Sequence, residues 1–366
     1  MTKEQIDRVV EGYDKKDIRI GTICSHSALQ IFHGARQEGF KTIGICTKDR
    51  VQTYKAFPWA MPDEFMVVDK FSDILQEEKQ EFLRERNTVI VPHGSFVQYV
   101  GANNIEESFN VPLFGNRMTL GWENDRKKQR KWIEGAGIKM PKEYPDASKV
   151  DSRVFVKFSG ARGGRGFFSA GSKEDLERKL AERVASGIID SNDAKNAAIQ
   201  EFVPGVRYYF QYFYSPFEEP IGQLEKGRVE LLGIDKRIET IDEAYRGLPE
   251  VPQEFFDYTV TGNQPVVIRE SLLPDVMDMG VKVVARSKEL FAPGMQGAFC
   301  LETVYHPDRG FTVFEVSARI VAGSNLYTQG SPYSSMIFNE PMSTGRRIAR
   351  EMRSGMASGE LEEIIY

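Results

Sequence analysis

The stretch "VKFSGARGGRGFF", residues 156–168, sets four glycines, two arginines and a lysine between two apolar runs of strand character. Glycine surrenders folding entropy and adds no core surface, so this concentration implies something that approaches the backbone closely. The basic residues imply that it is anionic. The segment contains no GxxxxGK[ST] pattern and no GxGxxG opening a helix, which excludes a Walker A loop and disfavours a dinucleotide fold. Instead the glycines join "RVFVKF" to "GFFSA" as the tip of a hairpin. Backbone N–H groups around Gly163, Gly164, Arg165 and Gly166 can wrap phosphate oxygens as a flap, with Lys157 on the incoming strand as a point charge. The plain alternative is a hairpin tip with solvated arginines.

A second stretch reads with the first. "FCLETVYHPDRGFTVFEVSAR", residues 299–319, folds back on itself at the turn "HPDRG". With the turn centred near 308–309, Glu302 and Glu315 fall almost opposite each other on one side of otherwise apolar strands. Opposed like charges destabilise a sheet unless something neutralises them, and a hard divalent cation does so. Arg319, on the Glu315 face, adds a phosphate contact. A register displaced by one residue would leave one glutamate in water. In "AAIQEFVPG", residues 197–205, a strand ends in an acidic residue and a bend. Glu201, Phe202 and Val203 then form a hinge edge that offers backbone groups to a flat base, although an ordinary strand end reads the same way.

Around these segments the chain is of ordinary globular type: 366 residues, 41% hydrophobic, 28% charged, net charge −5. That length exceeds one core. The acidic balance argues against general nucleic-acid binding. The N-terminus is too charged for a signal peptide and reads as a helix with Thr2 and Gln5 at capping-box spacing. No apolar run of about 18 residues is present, so no membrane span is expected. Cys24, Cys46 and Cys300 lack CxxC spacing and sit in apolar segments, which fits buried thiols in a cytoplasmic protein.

The organisation expected is α/β (α+β). Residues 17–47 alternate strand, helix, strand, a βαβ unit that predicts a parallel sheet. This N-terminal Rossmann-like domain takes residues 1–120, and the resemblance named below makes it the substrate domain. A lobe carrying the glycine flap follows at 121–205, opened by one charged helix in "WENDRKKQRKWIEGAGI", and a strand-rich lobe carrying the acidic pair takes 206–366. "RYYFQYFYSP" (207–216) reads as a core or subunit-contact strand. Arg346, Arg347, Arg350 and Arg353 sit at helical spacing and read as a solvated or subunit-facing stripe.

Glycine flap, hinge and acidic hairpin in this order resemble the ATP-grasp superfamily, which holds its nucleotide between two lobes. With "GTICSHSALQIFHGARQEGF", "VPHGSF", "VPLFGNR", "VTGNQPVVIRES" and "FEVSAR" added, the whole chain from Asp17 onward resembles the archaeal formate-dependent ligases that formylate aminoimidazole carboxamide ribotide (AICAR), the FAICAR synthetases. The superfamily's metal strand usually reads Glu-x-Asn-x-Arg, and here Ser317 replaces the Asn. The resemblance implies an ATP-dependent C–N ligase of purine biosynthesis using Mg²⁺ or Mn²⁺, with formyl phosphate as intermediate. It implies that His26, Ser27, Ser95 and Asn263 contact the ribotide, and that Lys157, residues 163–166, Glu201–Val203 and Glu230 contact ATP. Lys157 and Arg319 would assist the transfer, and Glu302 and Glu315 would hold the metal. Independently of the resemblance, Ser25-His26-Ser27 follows a strand and opens a helix, where N–H groups favour an anion. Small-molecule substrates, a homo-oligomer and neither nucleic acid nor membrane are the expected partners. A paralogous ATP-grasp ligase with other substrates, or a non-catalytic nucleotide-sensing module, would share the same grasp elements.

Overall fold

The computed structural model of the protein describes residues 1–158, 167–220, 224–239 and 260–366. The first sheet is parallel. It contains β1 (Arg19–Ile23), β2 (Lys41–Thr47), β3 (Glu64–Val68) and β4 (Thr88–Ile90), in the order β3-β2-β1-β4. Its central strands are buried almost end to end, as strands covered by helices on both faces must be. The βαβ unit read from residues 17–47 is present, with helix Ala28–Gln37 as its crossover. Because β2 lies on one side of β1 and β4 on the other, the loops after β1 and β4 diverge. They leave a crevice at the carboxyl ends of the strands, where ligands of open α/β sheets collect.

Four antiparallel strands make the second sheet: β5 (Glu143–Tyr144), β6 (Val154–Lys157), β7 (Phe167–Ala170) and β8 (Ala198–Glu201), ordered β5-β8-β6-β7. Helix Lys173–Ala185 covers one face through Leu176, packed with Val154, Val156, Phe168 and Ile199. The third sheet, also antiparallel, contains β9 (Val206–Ser215), β10 (Arg228–Glu239), β11 (Val260–Pro265), β12 (Gly297–His306) and β13 (Gly310–Ser317), ordered β11-β10-β9-β12-β13. β9 is the aromatic segment read as a core strand, and it is the central strand here. Phe210, Tyr212 and Tyr214 pack in one core with Val276, Val283 and Val284 of helix Leu273–Leu290. The opposite face carries Glu302, Arg237, Asp235 and Glu230, and this is the face that matters for chemistry.

Three expectations change. The charged segment after residue 117 forms two helices, Met118–Asn124 and Arg126–Gly135, broken at Asp125. The Asp125 carboxylate accepts from the N–H groups of Lys127 (2.9 Å) and Lys128 (3.0 Å), a capping geometry that competes with helix continuation. The C-terminal arginines do not form a solvated stripe. Arg346, Arg350 and Arg353 converge on Glu38 at 2.6, 2.9 and 2.5 Å, and Arg347 is 1% exposed against Glu230 (2.7 Å) and Glu351 (2.5 Å). Finally, the last segment is not confined to the third unit. Helix Thr344–Ser358 crosses helix Ala28–Gln37 where Gly34 and Gly345 let the two backbones touch, and Ile364–Tyr366 hydrogen-bonds along Leu113–Gly115. Across that contact the chain's two ends share one core, with Ile31, Ile348, Met352 and Ile365 buried together.

Candidate active site

The loops after β1 and β4 carry a close set of polar side chains. Ser25 Oγ donates to Ser95 Oγ at 3.1 Å. His26 has φ 51°, a left-handed backbone unusual for a side-chain-bearing residue and of the kind that clusters at ligand sites. Its carbonyl accepts from Asn325 Nδ2 at 3.2 Å, and its Nδ1 lies 2.7 Å from Ser27 Oγ. His93 is buried beneath it, with ring centroids 5.2 Å apart and planes within 8°. Both His93 nitrogens are engaged: Nε2 donates to the Ile23 carbonyl (3.0 Å) and Nδ1 accepts from the Phe96 N–H (3.3 Å). Burial lowers the His93 pKa to about 4. His26 is open to the cleft, but desolvation, then His93, Arg319 and Arg237, hold it well below the usual imidazole range. Both rings are therefore neutral at physiological pH.

Ser27 is a correction. Its side chain is buried and its hydroxyl is committed to His26 Nδ1 and, at 3.4 Å, to the Val321 carbonyl. It orients His26 rather than facing a ligand. Ser95 and Asn263 remain partly accessible, and Asn263 pairs across β10–β11 with Arg237.

The acidic pair is opposed as expected, for a different local reason. Near the turn His306 pairs with Gly310 and Thr303 with Val313, a register that alone would set Phe314 against Glu302. A bulge between Glu302 and Thr303 shifts the ladder by one residue, so Glu315 becomes the partner of Glu302. The extra residue, Phe314, turns its ring edge to Tyr209 and takes Lys157 Nζ at 5.3 Å from its centroid. Glu302 is 4% exposed and is neutralised by protein: Arg237 donates to both its oxygens, at 2.6 and 3.2 Å, while lying 4.0 Å over the Tyr209 ring. Ser317 Oγ reaches Glu302 at 3.4 Å. Arg126 stands 3.7 Å from Glu315. Burial pushes the Glu302 carboxyl up, with Arg237 opposing. Lys157, 7% exposed at the end of β6, has its pKa lowered by burial, with Glu315 and Glu302 the principal opposing charges. Lys157 of the second sheet thus faces the acidic pair of the third.

Arg319 joins the two clusters. It follows β13, pairs with Glu123 at 2.9 Å, and reaches Gly94 beside His26. Glu123 also accepts from the Ala318 N–H at 2.8 Å, and burial raises its pKa. At the hinge, Glu201 pairs with Arg309 of the hairpin turn at 2.7 Å. The N–H groups of Glu201 and Phe202 are used by the carbonyls of Lys142 (2.8 Å) and Arg153 (2.9 Å), whereas that of Val203 has no partner among the described residues. Phe202 is half-exposed under Arg153, 6.0 Å from ring centroid to guanidinium carbon. Gly163, Gly164, Arg165 and Gly166 lie outside the described residues.

Glu230, like Glu302, is paired with arginine within the protein. It lies on the right face of β10 but toward the far end, 2% exposed, with Arg347 on both oxygens (2.7 and 3.3 Å) and Arg228 at 2.9 Å. Its carboxylate is engaged by a buried ion cluster under helix Thr344–Ser358. Sequence reading missed Arg237, Glu123 and Gly94. Asp235-x-Arg237-x-Glu239 does set three charges at alternate positions of a strand that is apolar from Leu231 to Ile234, a signal that was there to use. Burial raises Asp235 to about 6. Among the described residues no group of three or more His, Cys, Asp or Glu side chains is arranged to hold a metal, and no helix is long and apolar enough to cross a membrane.

Known proteins resemble this chain in sequence and in fold. A family model described as a domain of unknown function (DUF1297) matches residues 175–366, and one described as a protein of unknown function (DUF1246) matches 20–144. The chain is 52% identical over 365 residues to the 5-formaminoimidazole-4-carboxamide-1-(beta)-D-ribofuranosyl 5'-monophosphate synthetase of Korarchaeum cryptofilum, covering 100% of this chain and 99% of that one. The chain belongs to that synthetase family. A solved structure of an IMP biosynthesis protein PurP from Thermococcus kodakaraensis is 34% identical, with a TM-score of 0.72 over 95% of this chain and 100% of that one. An ADP complex of PurK, an N5-carboxyaminoimidazole ribonucleotide synthetase, matches at 14% identity with a TM-score of 0.62, over 91% of this chain and 76% of that one. That likeness concerns the fold alone, and the fold is ATP-grasp. The synthetase family thus brings a parallel-sheet unit and a two-lobed grasp together in one chain.

Proposed function

We propose that the protein is an ATP- and formate-dependent ligase that converts AICAR to FAICAR in IMP biosynthesis, releasing ADP and phosphate. Formate attacks the γ-phosphate to give formyl phosphate. The 5-amine of AICAR then attacks the formyl carbon, phosphate leaves, and the amine proton departs with it or to solvent. The observation that carries the reading is the position of Arg319: its guanidinium lies beside Gly94 of the ribotide-side loops, and the residue follows the strand that bears Glu315. That placement supports a reading in which the nucleotide and ribotide sites adjoin at that side chain.

Lys157 serves as the phosphate cation, held in the cleft by burial and by the acidic pair. Val203 supplies the hinge N–H for the adenine edge, flanked by Glu201 and Phe202. His26, Ser95 and Asn263 hold the ribotide, with Ser27 fixing the His26 ring. Glu302 and Glu315, two hard carboxylates on one sheet face, suit Mg²⁺ or Mn²⁺, which is typically held by one or two carboxylates and completed by nucleotide phosphates. Such an ion supplies charge neutralisation for the transferring phosphoryl group. Arg237 and Arg319 add fixed positive charge where the acyl phosphate forms, and exclusion of water protects that intermediate. The protein works in the cytoplasm as a homo-oligomer. The test is incubation with ATP, Mg²⁺, formate and AICAR, with product identified by mass. FAICAR formed in step with ADP is expected. Absence of formylated product, or turnover that needs a carboxylate other than formate, overturns the assignment.

A further inference from the structure

Gly94 is the first residue of helix Gly94–Val100, and its backbone is outside the left-handed region, so nothing in its own conformation requires glycine. What requires it is the space beside it. A Cβ built there falls 3.2 Å from His26 Nε2 and 3.4 Å from Cζ and Nη2 of Arg319. The approach to His26 is tighter than most Cβ contacts, and the approach to Arg319 lies at the inner edge of ordinary van der Waals contact. Neither neighbour is free to retreat. His26 rests on the His93 ring, with its carbonyl tied to Asn325 and its Nδ1 to Ser27. Arg319 is tied to Glu123. His93 is itself fixed through both ring nitrogens.

We propose that Gly94 is a positioning residue: its missing side chain sets the spacing between the His26 imidazole and the Arg319 guanidinium, and so aligns the ribotide amine with the formyl phosphate. The proposal rests on the reading of His26 as a ribotide contact and of Arg319 as the group beside the transferred phosphate. Gly94→Ala separates positioning from stability, because alanine favours the helix and its backbone conformation is allowed. The variant should remain folded, and its ATP affinity should be unchanged. kcat/KM for AICAR should fall about tenfold or more, since small misplacements of reacting groups carry large kinetic penalties. Unchanged kinetics in a folded variant overturns the proposal.

A double-mutant cycle with His26→Ala, read by calorimetric AICAR binding, keeps the test decisive even if Gly94→Ala lowers stability. Removing the ring makes room, so the Gly94→Ala penalty should shrink in that background; an equal penalty in both backgrounds overturns the proposal. The two readings fail separately. If His26→Ala binds AICAR as wild type does, the ribotide role of His26 falls and this inference with it. If His26→Ala weakens AICAR and Gly94→Ala does not, only the positioning role of Gly94 falls.

Discussion

The two halves of the cleft are built on opposite electrostatic plans. On the parallel-sheet side the groups that face the crevice are neutral: stacked imidazoles, serine hydroxyls and backbone. They are ordered by hydrogen bonds that use nearly every polar atom. On the antiparallel side the groups are charged and buried: Glu302 on Arg237, Arg319 on Glu123, Lys157 facing Glu315. Neutral groups recognise a ligand by shape and by hydrogen bonds, at little desolvation cost. Charged groups must be desolvated and paired before any ligand arrives, and they then offer the field that a polyphosphate and a transferring phosphoryl group require. The neutral half and the charged half are therefore distinguishable by perturbation.

The largest effect is expected on the charged side, where Glu302→Gln and Glu315→Gln should each abolish turnover. They should differ in the apo protein. Glu302 is the doubly bonded partner of Arg237, so its loss leaves a largely desolvated guanidinium uncompensated and lowers stability by about 1–3 kcal/mol. Glu315 has only Arg126 at 3.7 Å, and its replacement should leave the melting temperature unchanged. Thermal melts with and without Mg·ATP check both, and near-normal turnover in either variant removes that residue from the metal site.

A smaller and more selective effect is expected on the neutral side. His26→Ala should weaken AICAR by about 10- to 150-fold, the range for one hydrogen bond to a charged group, and leave ATP affinity intact. Separate titration of each ligand decides this. Equal weakening of both would mean that the histidine is structural.

The last effect is on stability alone, without a change in turnover chemistry, and it differs in sign between the halves. His93 has a folded pKa of about 4 against an ordinary value near 6.5, so between these values the unfolded chain binds more protons. Its contribution is present above about pH 6.5 and is lost as pH falls toward 4, up to about 3 kcal/mol. Glu302 and Glu123 have raised folded values, so their terms favour the folded state as pH falls. Apo melting curves between pH 7.5 and 5 should therefore fall less steeply in His93→Gln than in wild type. Parallel curves would show that the ring is not held neutral.

Much of this was legible from short windows of sequence. The βαβ order placed His26 after a parallel strand, the strand pattern placed Lys157 at a strand end, and turn chemistry brought Glu302 near Glu315. These features depend on periodicity and on residues a few positions apart, which a single strand or turn encodes. Their final geometry was decided elsewhere. The bulge at Phe314, rather than the turn, aligns the glutamates. Arg237 neutralises Glu302 across 65 residues, Glu123 holds Arg319 from a helix that Asp125 cuts short, and Arg347 engages Glu230 across 117 residues. Gly94 resembles any helix-start glycine until His26 and Arg319 are seen to converge on it. Each of these depends on which distant charges share a low-dielectric face once the sheets have packed, and burial rather than local propensity selects those partners.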